Sequence, residues 1–466
     1  MRIPETAKDW ARRQYQSLSL PDRRLEKRCL KIVMTLADKP RDSINQAADS
    51  WAQAKGAYRF IENDRVAVDD LTTPISDTTA KNCASQEIIL AIQDTSTISF
   101  DSAKNASGLG TISHSSKARG MFYHPVMALD VEGLPLGLLD QQHWCREPKV
   151  KHKAKDRKKR PIAEKESLKW LRGIANANLA LKTNLPEGQC PEIIHIFDRE
   201  GDVHEAFELI DQLNDKAVIR SNHNRRVLDE DGQNGYAHDL VREARLLGQI
   251  TIDVPRKLGQ KKRRAQIQLR ATRVTLNPSK DKHPKRRPIT LTLVEAFEPD
   301  PPGKIEPLHW LLWTTESVHH FDDALHILRL YTLRWKIEEF FYVLKQGCKI
   351  EKLQFETADR LAKVLALYAP VAMRILYSRD LARLIPDAPC TILLDEVEWR
   401  VLWAKIHKKL PSESEKTPSL KQAVLWIGRL GGHLNRKSDG MPGSKTLWRG
   451  FRDLALLTEF FIIAQN

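Results

Sequence analysis

Segments that read as β-strands and segments that read as α-helices alternate between residues 87 and 221 of the chain. EIILAIQDTSTISF, MFYHPVMALDVEG and LPLGLLDQQHW have strand patterning, and the last two meet at a Gly-Leu-Pro turn that predicts a hairpin. A helix from Glu166 to Leu181, the strand EIIHIFD, a helix from His204 to Leu213 and the strand KAVIRS follow. This alternation predicts an α/β architecture in which helices flank a mixed sheet.

The rest of the chain divides around this α/β region. Residues 1–72 read as short helices, and residues 222–305 read as short β-like runs joined by basic loops, which we interpret as a β insertion. The strand LHWLLWTTE and a long helix from Asp322 to Lys345 return to the core, and the remainder reads as helical and suited to packing against another copy. We therefore expect a helical domain at 1–72, an α/β domain at 73–376 that contains the insertion, and a helical domain at 377–466.

The clearest N-terminal helix runs from Asp22 to Leu36 and has two different faces. Its apolar residues recur at helical spacing, and they are Leu25, Cys29, Ile32, Val33 and Leu36. The opposite face carries four basic side chains, which are Arg24, Lys27, Arg28 and Lys31. A basic stripe of this kind suits contact with DNA phosphates, although an ordinary solvated helix face has the same charge pattern.

The charge balance favours a nucleic-acid partner, because 75 Lys and Arg against 60 Asp and Glu give a formal net charge of +15. No apolar run approaches the roughly 20 residues that span a bilayer, and the N-terminus lacks a signal-peptide stretch. The six cysteines are widely separated and form no C-x-x-C pair, so we expect neither a zinc knuckle nor a disulfide framework. These features predict a soluble, intracellular protein without a membrane partner, in which any metal is held by oxygen atoms.

Two basic runs stand apart from the periodic segments. PKVKHKAKDRKKRP covers residues 148–161, and RKLGQKKRR covers residues 256–264. We interpret both as loops that contact the phosphate backbone without reading sequence. Nuclear localisation is the weaker alternative, because short basic runs are common in DNA-binding proteins.

Two aspartates end apolar strands of the predicted sheet. Asp94 closes LAIQD, and Asp198 closes IIHIFD. Side chains at the carboxyl ends of strands in an α/β sheet project into the crevice where ligands bind. Each aspartate alone is weak evidence, since an Asp that ends a strand often only caps a turn or a helix.

The segment YTLRWKIEEFFYVLKQG adds a third carboxylate. At about 100° per residue, four polar side chains fall in a sector about 60° wide, and they are Tyr331, Arg334, Glu338 and Lys345. Leu333, Ile337, Phe340 and Leu344 point elsewhere, and Glu339 lies about 100° away from Glu338. Helix geometry therefore favours Glu338 over Glu339 as the functional glutamate.

Asp94, Asp198 and Glu338 form a set of oxygen ligands that suits Mg²⁺, with Mn²⁺ as a substitute. Two such ions can activate a water or a 3′-hydroxyl and stabilise the leaving oxygen during displacement at phosphorus. Tyr331, Arg334 and Lys345 on the same stripe would hold phosphates. The alternative is that Arg334 and Lys345 merely form surface pairs with Glu338.

Five segments carry a resemblance to a known family, and they are GAYRFIEN, LAIQDTS, FDREGDVHE, YTLRWKIEEF and IGRLGG. Together with the Tyr-x2-Arg-x3-Glu-x6-Lys spacing that begins at Tyr331, they resemble the bacterial Asp-Asp-Glu cut-and-paste transposases. Within that group the chain is similar to the insertion-sequence-four family, and most of all to its Tn-five-type members. The similarity covers essentially the whole chain, with the segments in the same order.

This resemblance implies an RNase H-like core with a β insertion, an N-terminal domain that binds transposon ends, and a C-terminal dimerisation domain. It implies nicking at the transposon end, hairpin formation by the 3′-hydroxyl, hairpin opening, and strand transfer into target DNA. A homodimer on double-stranded DNA in the bacterial cytoplasm, associated with the nucleoid, would carry out these steps with two Mg²⁺ ions per active site.

The resemblance also assigns individual residues. Asp94, Asp198 and Glu338 match the family's metal-binding carboxylates. Residues matching those that grip the terminal nucleotides, where a base flips out, are Tyr331, Arg334, Lys345 and Arg220. Trp310 matches the aromatic residue on which such a base stacks, whereas in isolation it could be a core tryptophan. Four residues of the N-terminal region are expected to contact end DNA, and they are Arg24, Arg28, Lys31 and Arg59.

The chain departs from the family pattern in several places. The run at 148–161 is basic where the relatives are acidic and shorter, and Lys55, Gln354 and Arg360 replace other polar residues. These changes leave the recognised end sequence open without altering the carboxylates. Two alternative functions remain at this stage: an RNase H-like nuclease that cuts without joining, and a catalytically silent DNA-binding regulator of transposition.

Overall fold

The computed structural model describes residues 6–103, 105–113, 118–147, 161–254, 262–277, 287–303, 305–436 and 439–465. The run at 148–161 lies outside these residues except for Pro161, and so does most of the run at 256–264. The N-terminal region is helical, as predicted, with α1 (Ala7–Gln14), α2 (Arg23–Asp38), α3 (Ile44–Ala47), α4 (Trp51–Ile61) and α5 (Val68–Cys83).

Helix α2 has the two faces that its sequence predicts. The Asp22 side chain accepts a hydrogen bond from the Arg24 backbone N–H, which caps the helix at its predicted start. The apolar stripe faces inward, and its buried members are Cys29, Ile32, Val33 and Leu36. On the other face Lys27 and Lys31 are exposed. The basic stripe is therefore a surface of the N-terminal region.

A mixed β-sheet forms the centre of the molecule. Its first strands are β1 (Ile88–Gln93), β2 (Ser96–Ser99), β3 (Gly110–Thr111), β4 (Arg119–Leu129), β5 (Pro135–Trp144), β6 (Glu192–Phe197) and β7 (Lys216–Arg220). Strands β1, β6 and β7 are parallel neighbours, and β4 pairs antiparallel with β1. The predicted hairpin is confirmed, because β4 and β5 pair antiparallel around a turn in which Gly133 has a φ of 84°. Helix α6 (Leu168–Asn184) leads from β5 into β6, and helix α7 (His204–Leu213) connects β6 to β7.

The insertion continues the same sheet instead of forming a separate one. Its elements are β8 (Arg226–Leu228), β9 (Asn234–Tyr236), α8 (Ala237–Glu243), β10 (Leu246–Val254), β11 (Arg263–Leu276) and β12 (Ile289–Phe297), and β13 (His309–Thr314) follows. Strand β13 lies between β7 and β12, and β12 pairs with β11. Helix α8 interrupts the predicted β pattern, since Ala237 and Val241 pack into a buried cluster with the insertion strands.

The long helix predicted from Asp322 to Lys345 is wrong as a single element, because the chain forms α9 (Phe321–Thr332), α10 (Trp335–Tyr342) and a π-helical stretch at Val343–Gly347. At the break, Leu333 and Arg334 donate their backbone N–H groups to carbonyls three residues back instead of four. The Thr332 hydroxyl also donates to the Arg329 carbonyl and competes with the regular helical pattern. The constant 100° per residue used in the projection therefore does not hold across the whole segment.

The C-terminal region is helical, as predicted, with α11 (Ala358–Leu384), α12 (Glu396–His407), α13 (Leu420–Leu430) and α14 (Ser444–Gln465). Both predicted domain boundaries fall inside helices, 72/73 within α5 and 376/377 within α11. The exact domain limits therefore stay a prediction.

Helix α11 is a core helix, although its length and composition alone would allow it to cross a membrane. The prediction concerned an uninterrupted apolar run, whereas α11 reaches this hydropathy only as an average, because Lys363 and Arg374 interrupt its apolar residues. In the fold, 89% of the most apolar stretch of α11 is buried. Its polar side chains bind N-terminal backbone: Lys363 Nζ donates to the Asn63 carbonyl at 3.2 Å, and the Tyr368 hydroxyl to the Asp42 carbonyl at 3.0 Å.

Candidate active site

The register of the parallel strands brings the two strand-end aspartates to one level. Ile92 in β1 is opposite Ile196 in β6, so Asp94 and Asp198, each two residues further on, follow in the same register. Neighbouring strands lie about 4.8 Å apart, and residues two apart share a face of the sheet. The aspartates therefore emerge side by side, on the face where Leu90 and Ile92 contribute to the largest buried cluster.

The same register extends to β7 and β13. Phe197 is opposite Ile219, so Arg220 is level with Asp198, and Leu312 of β13 is opposite Arg220. One Arg220 Nη donates to the His309 carbonyl at 3.4 Å. Two aspartates and an arginine thus form one row across the ends of three parallel strands.

Asp94 is the most perturbed carboxylate of this row. Its Oδ1 accepts from the Thr95 backbone N–H at 2.7 Å, and its Oδ2 accepts from Arg334 Nη1 at 3.1 Å. Burial and then the negative charge of Asp198 raise the pKa of Asp94 to about 6, against the lowering effect of these two donors. Burial also raises the pKa of Asp198, whose Oδ1 accepts from the Glu200 backbone N–H at 2.9 Å.

Arg334 joins the helical part of the site to the sheet. Its second Nη donates to Glu338 Oε1, so its guanidinium lies between the carboxylates of Asp94 and Glu338. Its side chain is 14% exposed. The neighbouring Glu339 points elsewhere and pairs with Arg379 at 2.5 Å. The structure therefore places Glu338 at the site, as the helix projection predicted, although the helix is not continuous.

Tyr331 completes the cluster from α9. Tyr331 is 6% exposed, and burial raises the pKa of its hydroxyl, whereas the nearby Arg334 and Arg220 guanidinium groups oppose that rise. The Arg334 guanidinium lies 5.9 Å from the centre of its ring. Tyr331, Arg220 and Arg334 therefore surround the carboxylates with positive charge and one buried hydroxyl.

Two further predicted site residues, Trp310 and Lys345, lie on β13 and on the stretch that follows α10. Trp310 lies on the same face of β13 as Leu312, the partner of Arg220, and is partly buried against the core. Lys345 lies in the π-helical stretch, where burial lowers its pKa and Glu351 opposes that change. Glu338 and Lys345 lie in successive helical segments, and the place of Lys345 in the predicted four-residue stripe stays a prediction.

The predicted DNA-contacting residues of the N-terminal region lie on α2 and α4, apart from the carboxylates. Arg24 and Lys31 are exposed on α2, and Arg59 is exposed on α4. Arg28 packs over Gly56 of α4, where an added Cβ would come within 1.9 Å of its guanidinium. The glycine of GAYRFIEN thus makes room for one arginine of the basic stripe.

Two residues near the aspartates were not predicted from the sequence. The buried imidazole of His124 in β4 is within hydrogen-bonding distance of the Thr95 hydroxyl at 2.9 Å and the Gln93 amide oxygen at 3.1 Å, which supports the backbone around Asp94. Lys169 in α6 donates to Glu200 at 3.1 Å, and its charge opposes the burial that raises the pKa of Asp198. The only signal for His124 was a polar residue inside an otherwise apolar strand.

The donor set agrees in its chemistry with a hard divalent cation. The carboxylates of Asp94, Asp198 and Glu338 offer oxygen atoms of the kind such a cation prefers, and burial together with the charge of Asp198 raises the pKa of Asp94. Within the described ranges, no group of three or more His, Cys, Asp or Glu side chains is positioned to hold a metal ion. The Arg334 guanidinium stands between two of the carboxylates and supplies the balancing charge.

Strand-end aspartates, a helix-borne glutamate and a mixed sheet flanked by helices define an RNase H-like enzyme of the Asp-Asp-Glu class. The sequence matches three family models: transposase DNA-binding at residues 7–66, transposase DDE domain at 191–372, and transposase Tn5 dimerisation domain at 370–465. The chain belongs to the Tn5-type DDE transposases. It is a DNA transposase, with DNA and a dimer partner, and its DDE domain implies dependence on a divalent metal.

The chain is also similar to solved structures, among them the one described next. This structure is described as the cryo-EM structure of piggyBac transposase synaptic complex with hairpin DNA, with 11% identity and a TM-score of 0.37. The alignment covers 98% of this chain and 72% of that chain. This similarity is too low to carry a structural argument.

Proposed function

We propose that Asp94, Asp198 and Glu338 are the catalytic carboxylates and that they bind two Mg²⁺ ions, with Mn²⁺ as a substitute. The observation that carries this proposal is the strand register that sets Asp94 level with Asp198, combined with the Arg334 bridge from Asp94 to Glu338. When bound, the ions would activate the attacking oxygen and stabilise the leaving oxygen at phosphorus. Arg334 then becomes available to hold a phosphate, because the ions replace its charge beside the carboxylates.

The other residues of the site would hold and orient the DNA end. Arg220 and Arg334 both lie close enough to the Tyr331 hydroxyl to lower its pKa. The three side chains would grip the terminal phosphates together. Trp310 would stack on a base displaced from the duplex. Lys345 would contribute a further positive charge from the π-helical stretch once DNA is bound.

The proposed reaction consists of four displacements at phosphorus. Water first cleaves the bond to the 3′ oxygen at the transposon end and leaves a 3′-hydroxyl. That hydroxyl attacks the opposite strand, forms a hairpin and releases the flanking DNA. Water reopens the hairpin, and the regenerated 3′-hydroxyl attacks target DNA while a target 3′ oxygen leaves. We further propose that a homodimer on paired ends does this in the bacterial cytoplasm, at the nucleoid.

Joining distinguishes this proposal from a nuclease that only cuts. Pre-cleaved end DNA with a 3′-hydroxyl should be joined to a supercoiled target in Mg²⁺, whereas the same end with a 3′-deoxy terminus should not. The physical reason is that the deoxy end binds equally well but lacks the attacking oxygen. The measurement is gel detection of labelled donor DNA in the target. Nicking of uncleaved ends without any joined product would indicate a nuclease, and binding without either reaction would indicate a regulator.

The basic stripe of α2 should contribute a salt-dependent part of end binding. Arg24→Ala combined with Lys31→Ala removes two exposed cations, and we expect the slope of log affinity against log salt to fall by about 0.9 per lost phosphate contact. The matched control is Lys182→Ala with Lys421→Ala, which removes two exposed cations from α6 and α13. Fluorescence anisotropy with end DNA measures both slopes. Equal slopes for the two double variants would mean that the stripe is only a solvated face.

A further inference from the structure

Helix α10 carries the glutamate of the site, yet it is short and is interrupted on both sides. The irregular turn at Leu333 and Arg334 precedes it, and the π-helical stretch follows it. Its direction is therefore not fixed by continuous helix on either side. Contacts between its own side chains and the rest of the fold must hold Glu338 in place.

Those contacts come from two faces of α10, one apolar and one charged, that do not carry Glu338. Ile337 and Phe340 are fully buried, and the Phe340 ring lies 6.4 Å from that of Tyr123 in β4. Lys336 and Glu339 instead reach α11, where they meet oppositely charged side chains. The apolar face fixes how deeply α10 sits, and the charged face resists its rotation about its own axis.

The charged face ends in an ion cluster, which we call the Arg379 cluster and which consists of Lys336, Glu339, Arg379, Asp380 and Ser444. Its centre, formed by Arg379 and Asp380, is buried. Arg379 donates both Nη groups to Glu339, at 3.0 and 2.5 Å, and its Nε to Asp380 at 2.8 Å. Lys336 Nζ donates to the other oxygen of Asp380 at 2.7 Å. The side chains of Arg379 and Asp380 are each 4% exposed.

Such burial makes the geometry of the cluster restrictive. Burial alone would lower the pKa of Arg379, but its bonds to Glu339 and Asp380 raise it, so the guanidinium stays charged. A planar guanidinium that binds a carboxylate with both Nη groups fixes distance and direction together, which a lysine ammonium does not. The cluster therefore sets the rotation of α10 more strictly than burial of Ile337 and Phe340 would.

The cluster also reaches the C-terminal region. Arg379 Nη1 donates to the hydroxyl of Ser444 at 3.1 Å, and Ser444 is the first residue of α14. Residues 370–465 match the dimerisation family model, so both Arg379 and Ser444 lie inside that region. A path of direct contacts thus runs from Ser444 at the start of α14 through Arg379 to Glu339, which is the residue next to Glu338.

We propose that Arg379 is a positioning residue for catalysis, which clamps Glu339 and thereby aims Glu338 at the strand-end aspartates from within the dimerisation region. This inference rests on the proposed role of Glu338. Arg379 touches neither substrate nor reacting atoms, and it acts through α10. The same contacts make the orientation of α10 responsive to the placement of α14.

Conservative variants of the full-length protein separate positioning from folding. Arg379→Lys keeps the charge but loses the fork, and Glu339→Gln keeps the shape but loses the charge. The matched control is Arg383→Gln. Arg383 also pairs with Asp380, at 3.5 Å, but its side chain is 45% exposed and it pairs with Asp380 alone within the described part of the chain. The measurements are Tm, end-DNA affinity, Mn²⁺ affinity by calorimetry on the complex with end DNA, and the Mg²⁺ dependence of nicking.

We expect Arg379→Lys and Glu339→Gln to weaken Mn²⁺ binding about 10-fold or more, and to raise the half-saturating Mg²⁺ concentration similarly, as is usual when a supporting partner of a metal ligand is lost. End-DNA affinity should be unchanged. The double variant should bind Mn²⁺ no more weakly than the single variant with the lower Mn²⁺ affinity, because both substitutions break the same contact. Arg383→Gln should bind Mn²⁺ like the unmodified protein.

The outcomes that overturn this inference differ from those that overturn the proposed site. Unchanged Mn²⁺ affinity and Mg²⁺ dependence in Glu339→Gln, with or without a lower Tm, would reduce the Arg379 cluster to a structural role. If Arg379→Lys fails to fold, Glu339→Gln alone still decides. Glu338→Ala is the reference, since Mn²⁺ binding like that of the unmodified protein in this variant would remove Glu338 from the site.

Discussion

Replacing Asp198 by alanine should abolish both nicking and hairpin formation on a labelled transposon end in Mg²⁺, while end binding persists. Asp94→Ala and Glu338→Ala should behave in the same way. Loss of one metal ligand removes several kcal/mol of charge stabilisation at the transferring phosphorus, and about 4 kcal/mol corresponds to a rate loss of about 10³-fold. The measurement is the rate of each cleavage product on a denaturing gel under single-turnover conditions.

The matched control for this prediction is Glu192→Gln, which changes a carboxylate at the opposite end of β6. Glu192 is exposed and lies six residues before Asp198, so its loss should leave both rates unchanged. Nicking at the unmodified rate in any one of the three alanine variants would remove that carboxylate from the site. Loss of activity in Glu192→Gln would point to general damage of the sheet.

Replacing Trp310 by alanine should slow hairpin formation far more than the first nick. A base displaced from the duplex recovers about 1–3 kcal/mol by stacking on an aromatic ring, so the expected slowing is about 5- to 150-fold. The first nick should change little, because it needs no displaced base. Time courses of nicked and hairpin products from one reaction give both rates.

Trp313 provides the control for this second prediction, because it lies three residues further along β13 on the opposite face and is completely buried. Trp313→Phe should lower Tm without separating the two rates. Equal slowing of nick and hairpin in Trp310→Ala, with a lower Tm, would return Trp310 to the core. Phenylalanine at position 310 should restore most of the hairpin rate, since it keeps a ring for stacking.

Local patterns predicted the elements that hold the proposed catalytic carboxylates. Alternating strands and helices placed Asp94 and Asp198 at strand ends, and the helical spacing around Glu338 separated it from Glu339. Both inferences depend on only a few neighbouring residues, and such short-range geometry follows from the sequence. The structure adds the register of β1 and β6, which turns two commonplace strand-end aspartates into a pair.

Other features depend on distant parts of the chain, and the sequence did not reveal them. The Arg334 bridge to Asp94 spans 240 residues, and the contact that carries Arg379 to Glu339 spans 40. The break between α9 and α10 lies at Leu333 and Arg334, and Arg334 is the residue that makes the bridge to Asp94. His124 supports Asp94 from a strand whose apolar pattern gives no hint of a specific partner.

The place of β13 in the sheet has a consequence for the order in which the protein can fold. Strand β7, which ends at Arg220, pairs with β6 on one side and with β13 on the other. Leu312 of β13, the partner of Arg220, is synthesised about 90 residues later. Until the whole insertion has been synthesised, that edge of the parallel core has unpaired N–H and C=O groups, and closing so long a loop is slow. A nascent or truncated chain that ends before residue 309 therefore carries an open sheet edge beside the two strand-end aspartates, where it is prone to pair with another chain.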